Sequence, residues 1–301
     1  MNIIISGGFG HIGSFLIKRF QNDRKIKNVL IIDNFSTQRF SSYLRLNKKK
    51  FKLIDNDLNK VDLNAIKKKY HIFIHLAAIT NAAESFKIKK KLKLNNFGCT
   101  KKVVQFCKLN NIKLIFPSST SVYGSKFEII NSKNNMKNLF AQSPYAECKI
   151  IEEKYIKKNL KKFVILRLGT IVGISEGIRF HTAVNKFCYQ ASLGYPITIW
   201  KKFYEKKRPY LNLIDCYKVI NHIIYHNLFN KATLDVVTKN YTVKEIANII
   251  SKFIKLEKKF VNTKILNQNS YEVISDLLIK KGIKFSKNID KDVAKTLKIL
   301  T

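Results

Sequence analysis

Tyr145 and Lys149 stand four residues apart in Gln142-Ser143-Pro144-Tyr145-Ala146-Glu147-Cys148-Lys149. In a helix that spacing puts the phenol and the ammonium on one face, within mutual reach. An ammonium beside a phenol favours the phenolate and moves a tyrosine toward the working range of an acid/base. The pair can equally be one core and one surface residue, so its meaning depends on what converges on it. A second candidate is Phe116-Pro117-Ser118-Ser119-Thr120-Ser121-Val122-Tyr123-Gly124, an apolar run ending in hydroxyl residues that would also suit a plain turn. A third is His75-Leu76-Ala77-Ala78, where small residues end an apolar run and let another molecule approach the backbone.

The N-terminal segment indicates what that molecule is. The apolar run Asn2 to Ile5 leads into Ser6-Gly7-Gly8-Phe9-Gly10-His11-Ile12-Gly13. Gly7, Gly10 and Gly13 at this spacing permit a tight turn, close approach of a pyrophosphate, and close packing of the next helix on the strand. The helix predicted from Ser14 to Phe20 points its amide-rich, positive end at the phosphates. A second apolar run, Val29 to Ile32, ends in Asp33, whose carboxylate can accept from both adenosine ribose hydroxyls and would repel a 2′-phosphate. The cofactor expected is therefore NAD rather than NADP, held by Gly7, Phe9, Gly10, His11, Ile12, Gly13, Asp33 and Asn34, with Leu76, Ala77 and Ala78 beside them. A nicotinamide near Tyr145 would add its positive charge to that of Lys149.

These residues need a scaffold, and the hydrophobic pattern supplies one. Short apolar runs alternate with longer amphipathic ones over the first two-thirds of the chain, as in βαβ units feeding a parallel sheet. Strands are predicted at Asn2 to Ser6, Val29 to Asp33, Phe51 to Ile54, Ile72 to Leu76, Lys113 to Ser118, Phe163 to Leu168 and Thr233 to Val237. The helix from Tyr145 to Leu160 opens on Ser143-Pro144, with Glu147, Glu152 and Glu153 in its early turns. Beyond Gly169 helices are predicted at Ile178 to Leu193, Val243 to Ile254 and Tyr271 to Lys281, and a short strand at Ile197 to Trp200. The fold class is α/β: a Rossmann-type doubly wound parallel sheet with a smaller C-terminal α/β substrate lobe over the carboxyl ends of its strands. The expected division is residues 1–168, with 211–238 returning to them, and residues 169–210 plus 239–301 as the substrate lobe.

Composition narrows the function classes. The 301 residues are 46% hydrophobic, enough for a large core, yet the apolar runs are far too short to cross a bilayer, so no membrane association is expected. An apolar strand beginning at residue 2 leaves no space for a leader. Cys99, Cys107, Cys148, Cys188 and Cys216 are odd in number, share no C-x-x-C spacing and fall in core or helical segments, which predicts a reduced, cytoplasmic protein without disulfides or a metal site. Cys148 reads as a small core residue, with no histidine base placed near it. The formal charge of +37 brings a nucleic-acid surface into consideration. Nearly all of it is lysine, however, dispersed from Lys18 to Lys298 with an excess of Asn and Ile, so a compositional bias is the stronger reading. The charge would help attract an anionic substrate.

Together these residues resemble the extended short-chain dehydrogenase/reductase family of nucleotide-sugar epimerases and dehydratases, over most of the chain. GxxGxxG, the acid after strand two, Asp57-Leu58, HLAA, Asn95, SSTSVYG and SPYAECK occur in family order and at family spacing. The resemblance implies that Asp57 and Leu58 flank the adenine and that Asn95 supports the sheet near the cofactor. Ser119 would bind the sugar hydroxyl, Tyr145 would be the acid/base, and Lys149 would hold the nicotinamide ribose. Arg208-Pro209-Tyr210-Leu211-Asn212-Leu213-Ile214-Asp215 is similar to the family segment whose arginine contacts the substrate diphosphate. Thr120, Ser121, Thr170 and Lys264 complete the implied substrate contacts.

Sugar 4,6-dehydratases of that family carry an Asp-Glu pair after the serine, and UDP-glucuronate decarboxylases keep a glutamate at the second position. Thr120 and Ser121 stand there instead, a pattern most similar to UDP-galactose 4-epimerases. The function implied is NAD-dependent epimerisation of an anionic nucleotide sugar through a transient 4-keto intermediate. Thr170 in place of the usual asparagine, Asp235-Val236-Val237-Thr238 in place of Asn-x-Gly and the absence of a late R-x-G-D leave the sugar open. A nucleotide-sugar dehydrogenase or 4-keto reductase would use the same triad. A non-catalytic relative binding RNA or protein would have no reason to keep Ser119, Tyr145 and Lys149 together. The family also implies a homodimer through helices at Lys91 to Leu109 and Tyr145 to Leu160. Their apolar positions Phe97, Val103, Val104, Phe106, Ile150, Ile151, Tyr155 and Ile156 exceed one inward stripe.

Overall fold

In the computed structural model, which describes residues 1–124, 128–137, 139–262 and 270–301, the strands are β1 (Asn2–Ser6), β2 (Asn28–Asp33), β3 (Phe51–Asp55), β4 (Ile72–His75), β5 (Lys113–Ser119), β6 (Ile129–Ile130), β7 (Phe163–Leu168), β8 (Thr170–Val172), β9 (Ile197–Trp200), β10 (Arg208–Asn212), β11 (Ala232–Val236), β12 (Lys239–Tyr241), β13 (Lys258–Val261) and β14 (Glu272–Val273). The α-helices are α1 (His11–Gln21), α2 (Ser41–Leu44), α3 (Lys89–Leu109), α4 (Pro144–Asn159), α5 (Ala183–Ser192), α6 (Leu213–Tyr225), α7 (Val243–Ser251), α8 (Asp276–Lys280) and α9 (Asp290–Leu300).

Three consecutive isoleucines in β1 are all fully buried, because alternate side chains enter different cores. Ile3 and Ile5 join Leu16 and Phe20 of α1 and Val219 and Ile223 of α6. Ile4 joins Val103 and Phe106 of α3 and Ile156 of α4. The same alternation runs through β4, β5 and β7, so the sheet is covered on both faces. Its seven strands are parallel in the order β11-β7-β5-β4-β1-β2-β3, with Ile4 opposite both Leu30 and Phe73. This is a doubly wound Rossmann-type α/β sheet, whose order reverses beside β1 and opens a crevice at the strands' carboxyl ends.

The second lobe closes over that crevice. β8, β10 and β12 form one small sheet and β9 pairs with β13. Helices α5, α7 and α9 enclose Val172, Ile199, Tyr241 and Val293. α7 starts in a capping box of Thr242 and Glu245.

Two predicted helices differ from the structure, both through tertiary contacts. Of Ile178 to Leu193, only the part from Ala183 is helical; Ile178 to Thr182 runs as a turn, because the neighbouring Gly177 is tied to α1 through its N–H, 2.9 Å from Ser14 Oγ. Of Tyr271 to Lys281, the first part is β14, paired parallel with β6 because Tyr271 and Val273 bury against Ile130; the helical remainder is α8. The surplus apolar face on α3 and α4 is also smaller than expected, since Val103, Val104, Phe106 and Ile156 are buried inside the subunit. Among the described residues no helix is long and apolar enough to cross a membrane. All five cysteines are free and buried; burial pushes the Cys148 thiol up to about 12, with Glu152 adding to it.

Candidate active site

The chain turns sharply after β1. Gly7 takes φ +69°, and a Cβ there would lie 2.6 Å from the Ala77 nitrogen, so the turn packs directly on the small residues after β4. Helix α1 then starts at Gly10 with no side-chain cap and no acid in its first turn. Gly10, His11, Ile12 and Gly13 line a cleft of about 350 Å³. An uncapped helix N-terminus facing a cleft is a ready anion site. Asp33, at the end of β2, accepts from the backbone nitrogens of Phe9 (2.9 Å) and Phe35 (3.0 Å), which ties the turn to the second strand. Burial raises its pKa, against those two bonds and nearby Arg39.

Phe9 is buried and stacked on Phe35, so its ring lies outside the cleft lining. Asn34 reaches Asp57 Oδ2 at 3.5 Å, and Leu58 is buried next to it in sequence. Leu76 and Ala78 line the cleft, with Ala77 against Gly7. The Asn95 reading needs correction by one residue. Asn95 lines a separate surface hollow and bonds Asn96, while buried Asn96 holds both the nitrogen and the oxygen of Ile79, just beyond β4. The helical turn decides which of two adjacent asparagines faces the sheet, and composition cannot distinguish them.

Ser119, Ser121, Tyr145 and Lys149 all line the same cleft. Ser143 caps α4, its Oγ accepting from Ala146 N at 3.2 Å, with Pro144 at the first helical position. That fixes Tyr145 in the first turn and Lys149 one turn on. Ser119 Oγ accepts from Ser121 N at 3.1 Å, and the Ser121 hydroxyl is buried without a hydrogen-bond partner. Thr120, expected at the substrate, is buried and does not line the cleft; its carbonyl accepts from the Tyr271 hydroxyl at 3.0 Å.

Lys149 has a partner that the sequence reading did not assign. Its Nζ lies 3.1 Å from Glu152 Oε2 and 4.3 Å from the Phe116 ring centre. Glu152 also accepts from Thr100, which is 3.2 Å from His75 Nε2, and His75 Nδ1 is 2.7 Å from Ser6 Oγ. Burial disfavours the Lys149 ammonium, but Glu152 and Tyr145 outweigh it and its pKa is raised. Burial likewise raises the Tyr145 pKa, with Lys149 and Arg179 working to lower it and Glu152 to raise it. Lys149 by itself therefore does not bring Tyr145 into working range, because burial outweighs its charge and the buried Glu152 carboxylate works against it. The i,i+3 spacing of Lys149 and Glu152 was the available signal.

Glu153 faces elsewhere. It holds fully buried Arg167 through Nε (2.9 Å) and Nη2 (2.6 Å), and accepts from Ser118 Oγ at 2.6 Å. Arg167 Nη1 donates to the Tyr123 hydroxyl at 3.0 Å, and Tyr123 donates to Asp235, which also accepts from Asn135 at 3.1 Å. This network fastens β5, α4, β7 and β11 together beneath the serine turn.

At the other end Thr170, Trp200, Arg208 and Tyr210 line the cleft, with the Arg208 guanidinium 4.8 Å from the Tyr271 ring centre. Lys264 lies outside the described residues. Among the described lining residues there is no aspartate or glutamate. Its histidines are weak bases: burial lowers His11 and His75 to about 3 and His181 to about 4, with nearby cations adding to the effect. No three His, Cys, Asp or Glu residues among those described gather as metal ligands.

Residues 3–235 match the family model for the NAD dependent epimerase/dehydratase family. The chain belongs to this family. It is 28% identical over 238 residues to an uncharacterized UDP-glucose epimerase of Bacillus subtilis, YtcB, covering 74% of this chain and 72% of that protein. It is 28% identical over 241 residues to an ADP-L-glycero-D-manno-heptose-6-epimerase of Brachyspira hyodysenteriae, covering 75% and 72%. Among solved structures, a UDP-N-acetylglucosamine 4-epimerase from Methanobrevibacter ruminantium M1, in complex with UDP-N-acetylmuramic acid, is 27% identical, covering 99% of this chain and 97% of that one at a TM-score of 0.85. A UDP-glucuronic acid 4-epimerase from Bacillus cereus with UDP-glucuronic acid and NAD shares the fold at TM-score 0.88 and 22% identity, covering 100% and 99%.

This member of the epimerase/dehydratase family is thus an NAD-dependent enzyme, and the residues present fit the cofactor. The start of α1 is uncapped and its amide-rich end faces the cleft, as a dinucleotide's diphosphate requires. Sequence reasoning missed Arg179, His181, Thr182 and Thr80 of the lining. Thr80 lies two residues beyond Ala78, just past the segment after β4, while Arg179, His181 and Thr182 come from the irregular stretch between β8 and α5, whose composition carries no signal, and reach the cleft only through the folding of the second lobe.

Proposed function

We propose that the protein epimerises a nucleotide sugar at a hydroxyl-bearing carbon, through a transient 4-keto sugar. The observation that carries this reading is the absence of a described carboxylate in the cleft lining. Eliminating water from a sugar takes a carboxylate acid/base pair; moving a hydride at a carbinol takes one proton acceptor and a correctly held carbon. In this reading Tyr145 accepts the sugar hydroxyl proton and later returns it. Ser119 bonds the same oxygen, and the unpartnered Ser121 hydroxyl meets another sugar oxygen. Lys149 bonds the nicotinamide ribose and keeps positive charge beside the phenol. Arg208 and Thr170 anchor the nucleotide diphosphate, leaving the keto sugar to turn between hydride transfers. Bound NAD supplies the hydride acceptor and then the donor.

The relatives' names make UDP sugars the first to assay. Incubation with UDP-, GDP-, dTDP- and CDP-sugars, read by proton NMR, is expected to give the 4-epimer with no net NADH. Stoichiometric NADH would assign a dehydrogenase instead, and the absence of any product or of heat-stability protection would remove the nucleotide-sugar reading.

Asp33 is proposed to select NAD. Wild-type protein is expected to bind NAD at least about tenfold more tightly than NADP, and Asp33→Asn to lose most of that ratio. Equal affinities in the wild type would overturn the role.

The quaternary proposal is a homodimer through α3 and α4. Leu94 of α3 is 66% exposed, and Phe97 of α3 and Ile151 and Tyr155 of α4 are half-buried. Light scattering at moderate salt should give twice the 35.0 kDa chain mass, and a single species at the chain mass would exclude the dimer. Five buried free thiols support a reducing, cytoplasmic setting.

A further inference from the structure

Residues 173–179 leave β8 and cross the start of α1 as a strap from the substrate lobe. His11 Nε2 donates to the Gly173 carbonyl at 2.7 Å, and Ser175 Oγ donates to the His11 carbonyl at 2.8 Å. Ser14 Oγ donates to Ser175 Oγ at 3.0 Å and accepts from Gly177 N at 2.9 Å. A Cβ on Gly177 would collide with the Gly10 carbonyl, so glycine is what lets the strap lie directly on the turn. Two residues on, Arg179 enters the cleft. Its Nη1 donates to Thr80 Oγ1 and its Nη2 lies 3.9 Å from where a Gly10 Cβ would project.

The guanidinium therefore sits at the positive end of α1, where like charge is unfavourable unless an anion lies between them. No described carboxylate pairs with Arg179. The charged group that most affects it is Arg39, which flanks Asp33 and whose Nη1 is buried without a hydrogen-bond partner. Burial lowers the Arg179 pKa to about 10, with Arg39 adding to it. We infer that Arg179 is a counter-charge for the diphosphate of the bound dinucleotide, presented by the 173–179 strap, so that the substrate lobe itself closes the cofactor site. Arg208, at the start of β10 and stacked on Tyr271, is left for the substrate. A cofactor covered in this way leaves only after the strap lifts, which suits a reaction that returns the same hydride.

The inference rests on the NAD assignment, and adenosine binding tests that assignment separately. Calorimetric titration of cofactor-stripped protein should show Arg179→Ala weakening NAD and ADP-ribose by about thirtyfold, the scale of a lost charge-assisted bond. Adenosine should change by less than about twofold, and Arg179→Lys should recover part of the loss, since an ammonium keeps the charge but not the planar fork. Arg179→Met, which keeps the apolar stem, gives the same readout if the alanine variant is unstable. Unchanged NAD and ADP-ribose affinity would overturn the inference. So would a loss confined to UDP, which would transfer Arg179 to the substrate.

Discussion

Replacing Tyr145 with phenylalanine is expected to lower turnover at least about a hundredfold, the scale of a lost acid/base. The ring stays in place against Leu92 and Cys148, so fold and NAD affinity should be retained. What disappears is the lining phenol that stands one helical turn from Lys149; the described lining histidines are weak bases and the described lining holds no carboxylate to take over its proton exchange with a sugar hydroxyl. The check is steady-state turnover on the identified nucleotide sugar beside NAD titration and a melting curve. Near-native turnover would reject the mechanism; loss of NAD binding with turnover would mean the substitution had disturbed the cofactor site instead.

Glu153→Ala is expected to be the most destabilising single change in the site's foundations, by about 3–5 kcal/mol, because it strands a buried guanidinium. Arg167 is fully buried and loses two direct bonds, and Ser118 loses its acceptor. Urea unfolding followed by circular dichroism measures the loss, and a change below about 1 kcal/mol, the scale of an exposed pair, would show that the network is not structural. A pH dependence follows as well. Burial raises the Glu153 pKa, but the bonds and charge of Arg167 outweigh it and hold the carboxyl below its usual value of 4.5. A depressed carboxylate contributes stability that is present above its unfolded value and is lost as pH falls through the folded one. Stability of the wild type should therefore decline below about pH 4.5 more steeply than that of Glu153→Gln, which has no proton to take up.

The parts of this protein legible in its sequence are those in which neighbours along the chain meet in space. The glycine turn, the strand before it, Asp33 at the end of the next strand and the Tyr145/Lys149 pair on one helix are all local: backbone geometry fixes their relations once strand and helix are recognised. The parallel sheet is legible for a related reason, since strands buried on both faces are apolar at every position, as Ile3, Ile4 and Ile5 are. Tertiary structure decided the rest. It chose Asn96 over Asn95, because only one of them turns toward Ile79. It buried Tyr145 and the neighbouring Lys149–Glu152 pair in a water-poor interior, so that burial, which no short-range pattern encodes, outweighs the lysine in its effect on Tyr145. It drew Ile178 to Thr182 out of a helical pattern and laid the strap across the start of α1, bringing Arg179 to a glycine more than 160 residues earlier in the chain. Residues with no sequence relation become partners there because the two lobes bury their facing surfaces together, and the hydrogen bonds across that contact exist only once the fold is complete.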